Sequence, residues 1–259
     1  MTDYVICIPS YKRAEICKNK TLTMLKNNNI DKSLIYIFVA DKQEYDIYEN
    51  ILPKNMYQKL VIGLLGIVEQ REFIERYFEE GKKIILFDDD VEEIDLSISE
   101  LFNNNDLDYF FTKAFDIIKK EKCFIWGVYP VYNSYFRINR KEYTTNLSYI
   151  VGGFYGIINR PNMKSLECEI SKEFGGQKED VERSIKYFIQ DGKIVRFNKI
   201  GYKTKYYGSV GGLGTFKERL KPMLEASHTL EYFYPEYGKV VTRKNGMTEF
   251  RLNKLNYTH

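Results

Sequence analysis

The chain has only two histidines and four cysteines in 259 residues, and the cysteines (Cys7, Cys17, Cys123, Cys168) stand singly, with no Cys-x-x-Cys pair. Neither a zinc cluster nor a disulfide framework has support, and buried free thiols in a reducing compartment are expected. Proline is also scarce, at 6 residues. With 44% hydrophobic and 29% charged residues, a collagen-like or disordered chain is excluded. Long apolar runs are missing too: those around Tyr4–Pro9 and Lys83–Phe87 fall far short of the roughly 20 residues of a membrane helix. The N-terminus lacks the basic region, apolar segment and cleavage site of a secretory signal. A cytoplasmic protein without membrane contact is expected. The length suits one large domain, and neither an internal repeat nor a linker is visible.

Charge of one sign is nearly balanced, 39 basic against 36 acidic residues, but unevenly placed. Asp191–His259 holds 13 Lys/Arg and 6 Asp/Glu, a balance of +7, which leaves −4 for the rest. A basic C-terminal segment suits an anionic partner, nucleotide phosphates or a nucleic acid backbone, although a solvated face reads the same way.

Patterning in the first 90 residues alternates strand and helix. Tyr4–Pro9 reads as a strand, Arg13–Asn27 as a helix, Leu34–Ala40 as a strand and the stretch from Asp41 as a short helix. Leu60–Leu65 is a third strand candidate. Val68–Glu80 follows as a helix with Phe73, Ile74, Tyr77 and Phe78 inward and Gly81 as its cap, and Lys83–Phe87 as a further buried strand. Strands apolar on both faces indicate a parallel sheet covered on two sides, with ligands beyond the carboxyl ends of the strands. Leu107–Lys120 is a helix and Cys123–Tyr129 a strand. The aromatic segments Tyr132–Phe136 and Tyr149–Asn159 then favour antiparallel strands. Gln177–Gln190 returns to helix, with Val181, Ile185, Phe188 and Ile189 on one side and Gly192 as its stop.

The most informative feature is Asp88-Asp89-Asp90 at the end of a buried strand. Asp88 and Asp90, one residue apart, point the same way in an extended segment and can hold a divalent cation together. Capping of the next element is the alternative, but a cation relieves the repulsion of three adjacent carboxylates and capping does not.

Ile6-Cys7-Ile8-Pro9-Ser10-Tyr11-Lys12-Arg13, Phe38-Val39-Ala40-Asp41, Arg71 and Asp88-Asp89-Asp90, in that order, resemble the nucleotide-sugar glycosyltransferases of the GT-A fold. More narrowly, they are similar to the TET/JBP-associated glycosyltransferases, linked to sugar addition on hydroxymethylated pyrimidines in DNA. The resemblance covers roughly Tyr4–Phe197. It implies an α/β fold with a GT-A-like mixed sheet flanked by helices: a single domain, 1–259, with a parallel nucleotide-sugar-binding half (1–128) and a more antiparallel acceptor half (129–259). It also implies that Pro9, Ser10, Tyr11 and Arg13 flank a uridine pocket, that Asp41 reads the base, and that Arg71, Asp88 and Asp89 meet the ribose or diphosphate. Asp88 and Asp90 would hold Mn2+ or Mg2+ on the diphosphate of a UDP-sugar, with His228 as a late metal ligand. Glu179-Asp180 resembles the acidic pair of inverting members, Asp180 being the expected general base. Gly152-Gly153 would border the acceptor, a β-bulge being the plain reading; apart from the resemblance, Gly208–Gly214 reads as a flexible turn, with a lid whose backbone N–H groups touch phosphate as the other reading. Helix capping for Ser10, a Glu75 pair for Arg71 and helix-dipole complementation for Asp180 are the plain readings beside these.

The implied partners are a nucleotide sugar and DNA carrying hydroxymethylpyrimidine, with Tyr132, Tyr135 or Phe154 stacking on an extruded base; no obligatory protein partner is inferred. Three other functions stay open: a glycosyltransferase acting on protein or glycan, a non-catalytic nucleic-acid-binding module, and a phosphohydrolase with Asp88 as nucleophile and Asp90 as acid. A sugar nucleotidyltransferase would need a glycine-rich loop where Pro9-Ser10-Tyr11 stands.

Overall fold

Short, mostly apolar runs form strands covered on both faces, and four such strands lead the fold. β1 (Tyr4–Pro9), β2 (Ile35–Val39), β3 (Lys59–Ile62) and β4 (Lys83–Phe87) lie parallel in the order β3-β2-β1-β4. The computed structural model describes residues 3–102, 104, 106–204, 216–243 and 248–255, residue 216 by its backbone only. Between the strands run α1 (Ala14–Cys17), α2 (Thr23–Asn27), α3 (Lys42–Ile51) and α4 (Ile67–Tyr77).

The second half adds β5 (Glu93–Asp95), α5 (Leu107–Glu121), β6 (Ile125–Tyr129), β7 (Tyr143–Thr144), β8 (Phe154–Ile158), α6 (Glu169–Glu173), α7 (Glu179–Asp191) and β9 (Val195–Lys203). β8 inserts antiparallel between β4 and β6, and β9 lies parallel to β6. Antiparallel β5 and β7 both pair with β9. Among the described residues the result is a nine-stranded mixed α/β sheet, ordered β3-β2-β1-β4-β8-β6-β9-β5 with β7 on β9, as expected.

Alternation assigns each strand's side chains to opposite layers. Tyr4, Ile6, Ile8, Ile85, Phe87 and Trp126 join one core, whereas Val5, Cys7, Ile84, Leu86 and Ile125 join the other. All four cysteines are buried and free. Beyond the sheet, α8 (Phe216–Phe233) and the hairpin β10 (Gly238–Thr242)–β11 (Thr248–Leu252) pack on α7 through Leu230, Phe250, Val181 and Ile185. Among the described residues no helix is long and apolar enough to cross a membrane.

Several local expectations need correction. The first helix is interrupted by a π-helical turn, Lys18–Leu22. Gly81 does not cap α4, which ends at Tyr77. Instead the Asn159 amide donates to the carbonyls of Glu75, Phe78 and Glu79, so a residue distant in sequence satisfies that end. Residues Ser134–Phe136 form a 3-10 turn capped by Asn133, not a strand. Ile189 is exposed. Phe154 is fully buried and stacked on Phe87 at 4.3 Å, so it offers no face to a base.

Candidate active site

The parallel strands end at a cleft of about 520 Å³ whose walls include Pro9, Ser10, Tyr11 and Arg13 after β1, Asp88–Asp90 after β4, Arg71 of α4 and Asp180 of α7. Open parallel sheets bind ligands at this edge.

Asp88, Asp89 and Asp90 do three different things. Asp89 turns inward: its carboxylate accepts from Ser10 Oγ at 2.6 Å and from Arg13 Nη1 at 3.0 Å. Burial pushes it up to about 7, against the pull of Arg13 and Ser10. It ties the β1 and β4 loops together, and both its oxygens are engaged within the chain. Asp90 accepts from Thr204 Oγ1 at 2.7 Å and lies 3.5 Å from Arg13. Asp88 has a side chain 42% exposed and receives Arg71 Nη2 at 3.1 Å. Thr21, on the π-helical turn, fixes the loop from behind: its hydroxyl donates to the Asp88 carbonyl at 2.7 Å and accepts from the Val91 N–H at 2.9 Å. Such turns recur where a helix must aim a side chain at a site.

Among the described residues no three His, Cys, Asp or Glu side chains converge on a metal position. Asp88 and Asp90 both face the cleft, so they suit a hard cation that takes its remaining oxygens from a bound molecule.

Arg71 is buried and reaches three acceptors: Asp88, the Gly152 carbonyl at 2.8 Å and Glu179. A Cβ at Gly152 would stand 3.0 Å from Arg71 Nη1, so glycine is what lets the guanidinium approach. Glu179, expected beside the base, is held by both Arg71 and Arg183. It is an anchor between α4 and α7. Its neighbour Asp180 remains at the cleft surface, accepting a hydrogen bond from the Tyr149 hydroxyl. Left-handed Gly175, Gly176 and Lys178 turn the chain into α7 and place Asp180 in its first turn.

Two expected residues lie elsewhere. Asp41 caps α3 through the Glu44 N–H at 2.9 Å and does not line the cleft. His228 is on α8 with a side chain 59% exposed, 3.8 Å from Glu231, also outside the cleft walls. Gly208–Gly214 lies outside the described residues. The sequence reading missed Thr21, Tyr149, Thr204 and Arg183, whose partners stand far away in the chain; only the helical spacing of Arg183 after Glu179 was visible as an i, i+4 pair.

No protein-family model and no curated protein matches the chain. Solved structures do match. The mannosyltransferase from Pyrobaculum calidifontis in complex with GDP-Man and Mn2+ superposes over 89% of the chain at 10% identity and TM-score 0.48, and this chain spans 64% of that one. The inositol-1-phosphate CTP transferase from T. maritima gives 12% identity and TM-score 0.43 over 88% of this chain and 97% of that one. The 4-diphosphocytidyl-2C-methyl-D-erythritol synthase from Anaerococcus prevotii gives 11% and 0.40 over 86% and 96%.

Proposed function

We propose that the cleft binds a nucleotide sugar, UDP-linked, and transfers its sugar to a hydroxyl by direct displacement with inversion. The observation that carries this reading is the placement of Asp88 and Asp90 on one wall, at the strand ends, and of Asp180 on the facing helix of the same cleft. Pro9, Ser10, Tyr11 and Arg13 would flank the nucleoside, and Arg71 would lie near the ribose or diphosphate. Asp88 and Asp90 would hold Mn2+ or Mg2+, which when bound supplies Lewis-acid stabilisation of the departing diphosphate.

The chemistry required of the chain's own groups is then short. Asp180 takes the proton of the acceptor hydroxyl as that oxygen bonds to the anomeric carbon. The bond from that carbon to the diphosphate oxygen breaks, and its electron pair leaves with the nucleoside diphosphate. Tyr149, donating to Asp180, orients the carboxylate for that proton transfer. A hydroxymethylpyrimidine in DNA is the acceptor that the sequence resemblance favours, and the surplus of +7 in Asp191–His259 is compatible with it.

The test is to incubate the protein with UDP- and GDP-sugars and Mn2+, with and without hydroxymethylated DNA, and to measure released nucleoside diphosphate. Metal-dependent release, lost in Asp90→Ala with the fold intact, is expected. Release of pyrophosphate from a nucleoside triphosphate instead makes the protein a nucleotidyltransferase, and metal-independent release of phosphate from phosphomonoesters makes it a phosphohydrolase.

A further inference from the structure

A second cleft, of about 900 Å³, adjoins the first and shares Tyr149, Val151, Lys178 and Asp180 with it. Asp180 therefore stands at the junction of the two. The walls of this second cleft carry Arg140, Lys141, Arg196 and Lys254 besides Lys178. Arg243 and Arg251 also line it, but Glu249 takes both.

Arg140 and Arg196 are different from those two. Both guanidinium groups lie over the ring of Tyr129, at 4.3 and 5.2 Å from its centroid. Among the described residues Arg140 donates to the Phe136 carbonyl and Arg196 to the Asn198 side chain, both neutral, and neither has a carboxylate partner. Burial and the nearby Arg140 charge hold Arg196 down to about 10, with the Tyr129 phenol opposing. Two like charges against one ring repel, and the partial burial of Arg196 amplifies that. An anion bound in the cleft that both line would offset the repulsion. One carboxylate satisfies one guanidinium fork; two forks with lysines at the rim match a group with more oxygens and more charge.

We infer that Arg140 and Arg196 form a phosphate subsite on the acceptor side of Asp180, so that the molecule receiving the sugar carries a phosphate as well as the hydroxyl. This rests on the reading of Asp180 as the base, which makes the second cleft the acceptor side. The phosphate belongs either to a monoester or to the diester of a nucleic acid backbone.

Calorimetric titration of the full chain in metal-free buffer, with inorganic phosphate, the dinucleotide TpT and malonate in turn, tests it. Phosphate or TpT is expected to bind, and Arg196→Met and Arg140→Met each to weaken that binding about tenfold or more. Lys239→Met, an exposed lysine that lines neither cleft, is expected to bind like the parent. Arg140 is exposed, so its variant stays informative if Arg196→Met does not fold. Binding of TpT alone assigns the diester, and binding of phosphate alone the monoester. No binding of either, equal binding by the arginine variants, or tighter binding of malonate than of both overturns the subsite. Sugar transfer plays no part in this titration. Loss of the transferase reading would show as no nucleotide-sugar turnover with phosphate binding retained, and loss of the subsite as the reverse.

Discussion

Replacing Glu179 with glutamine separates an anchoring carboxylate from a catalytic one. Glu179 is 7% exposed and lies between Arg71, 7% exposed, and Arg183, 4% exposed. The Arg183 Nε and Nη2 atoms have no hydrogen-bond partner among the described residues, so Glu179 is its one ion-pair partner there. Removing a single partner from a buried ion pair costs roughly 3–5 kcal/mol. Arg71 keeps Asp88 and the Gly152 carbonyl, and the glutamine amide oxygen still accepts one hydrogen bond, which places Glu179→Gln near the lower end, about 3 kcal/mol. For a chain of this size that corresponds to a fall in Tm of roughly 6–12 °C. Urea unfolding at constant m-value and thermal melting followed by circular dichroism measure it. Donor affinity should weaken as well, because Arg71 loses the group that holds it beside Asp88. An unchanged unfolding midpoint with turnover reduced about a hundredfold or more would refute the anchoring argument and return Glu179 to the chemistry.

Asp180→Asn should lower kcat by about 10²–10⁴ while the KM for the nucleotide sugar stays within a few-fold, since only proton removal is affected; equal losses in both would make Asp180 structural. Glu75 gives a pH signature. Burial pushes its carboxyl up to about 7, although Arg183 pulls the other way. The folded state therefore holds a proton that the unfolded chain, with an ordinary glutamate near 4.5, has released. The sign follows: the folded state binds more protons between about pH 4.5 and 7, so stability is fully present below that window and declines as pH rises through it. Glu75→Gln should abolish that decline and melt above the parent at pH 8. If the parent's Tm falls across this window by no more than that of Glu75→Gln, the assignment is wrong.

Local periodicity was enough to locate most elements. The runs at Tyr4–Pro9, Ile35–Val39 and Ile84–Phe87 are almost continuously apolar, which suits strands of a sheet covered on both sides. Asp88-Asp89-Asp90 was conspicuous for a similar reason: three carboxylates at a buried strand end need a partner. The helix carrying Asp180 announced itself by its apolar stripe and the Gly192 stop. Hydrophobic burial and backbone sterics act within a few residues, so a window of sequence contains them.

The tertiary structure decided what depends on residues far apart. Nothing near Phe154–Ile158 says that this strand enters between β4 and β6, because that position is set by pairings with Lys83–Phe87 and Ile125–Gly127. Close packing reinforces it, for a Cβ at Gly156 would stand 2.4 Å from Trp126. The separate fates of the three aspartates are likewise non-local: Asp89 faces Ser10 and Arg13, Asp90 faces Thr204, and Asp88 faces Arg71. Glu179 and Asp180 are adjacent and chemically alike in sequence. Two buried arginines, one of them from α4, hold the first, while the second lines the cleft and accepts from a tyrosine hydroxyl. A carboxylate's role follows from the charges and dipoles around it, and these are assembled only when the chain folds.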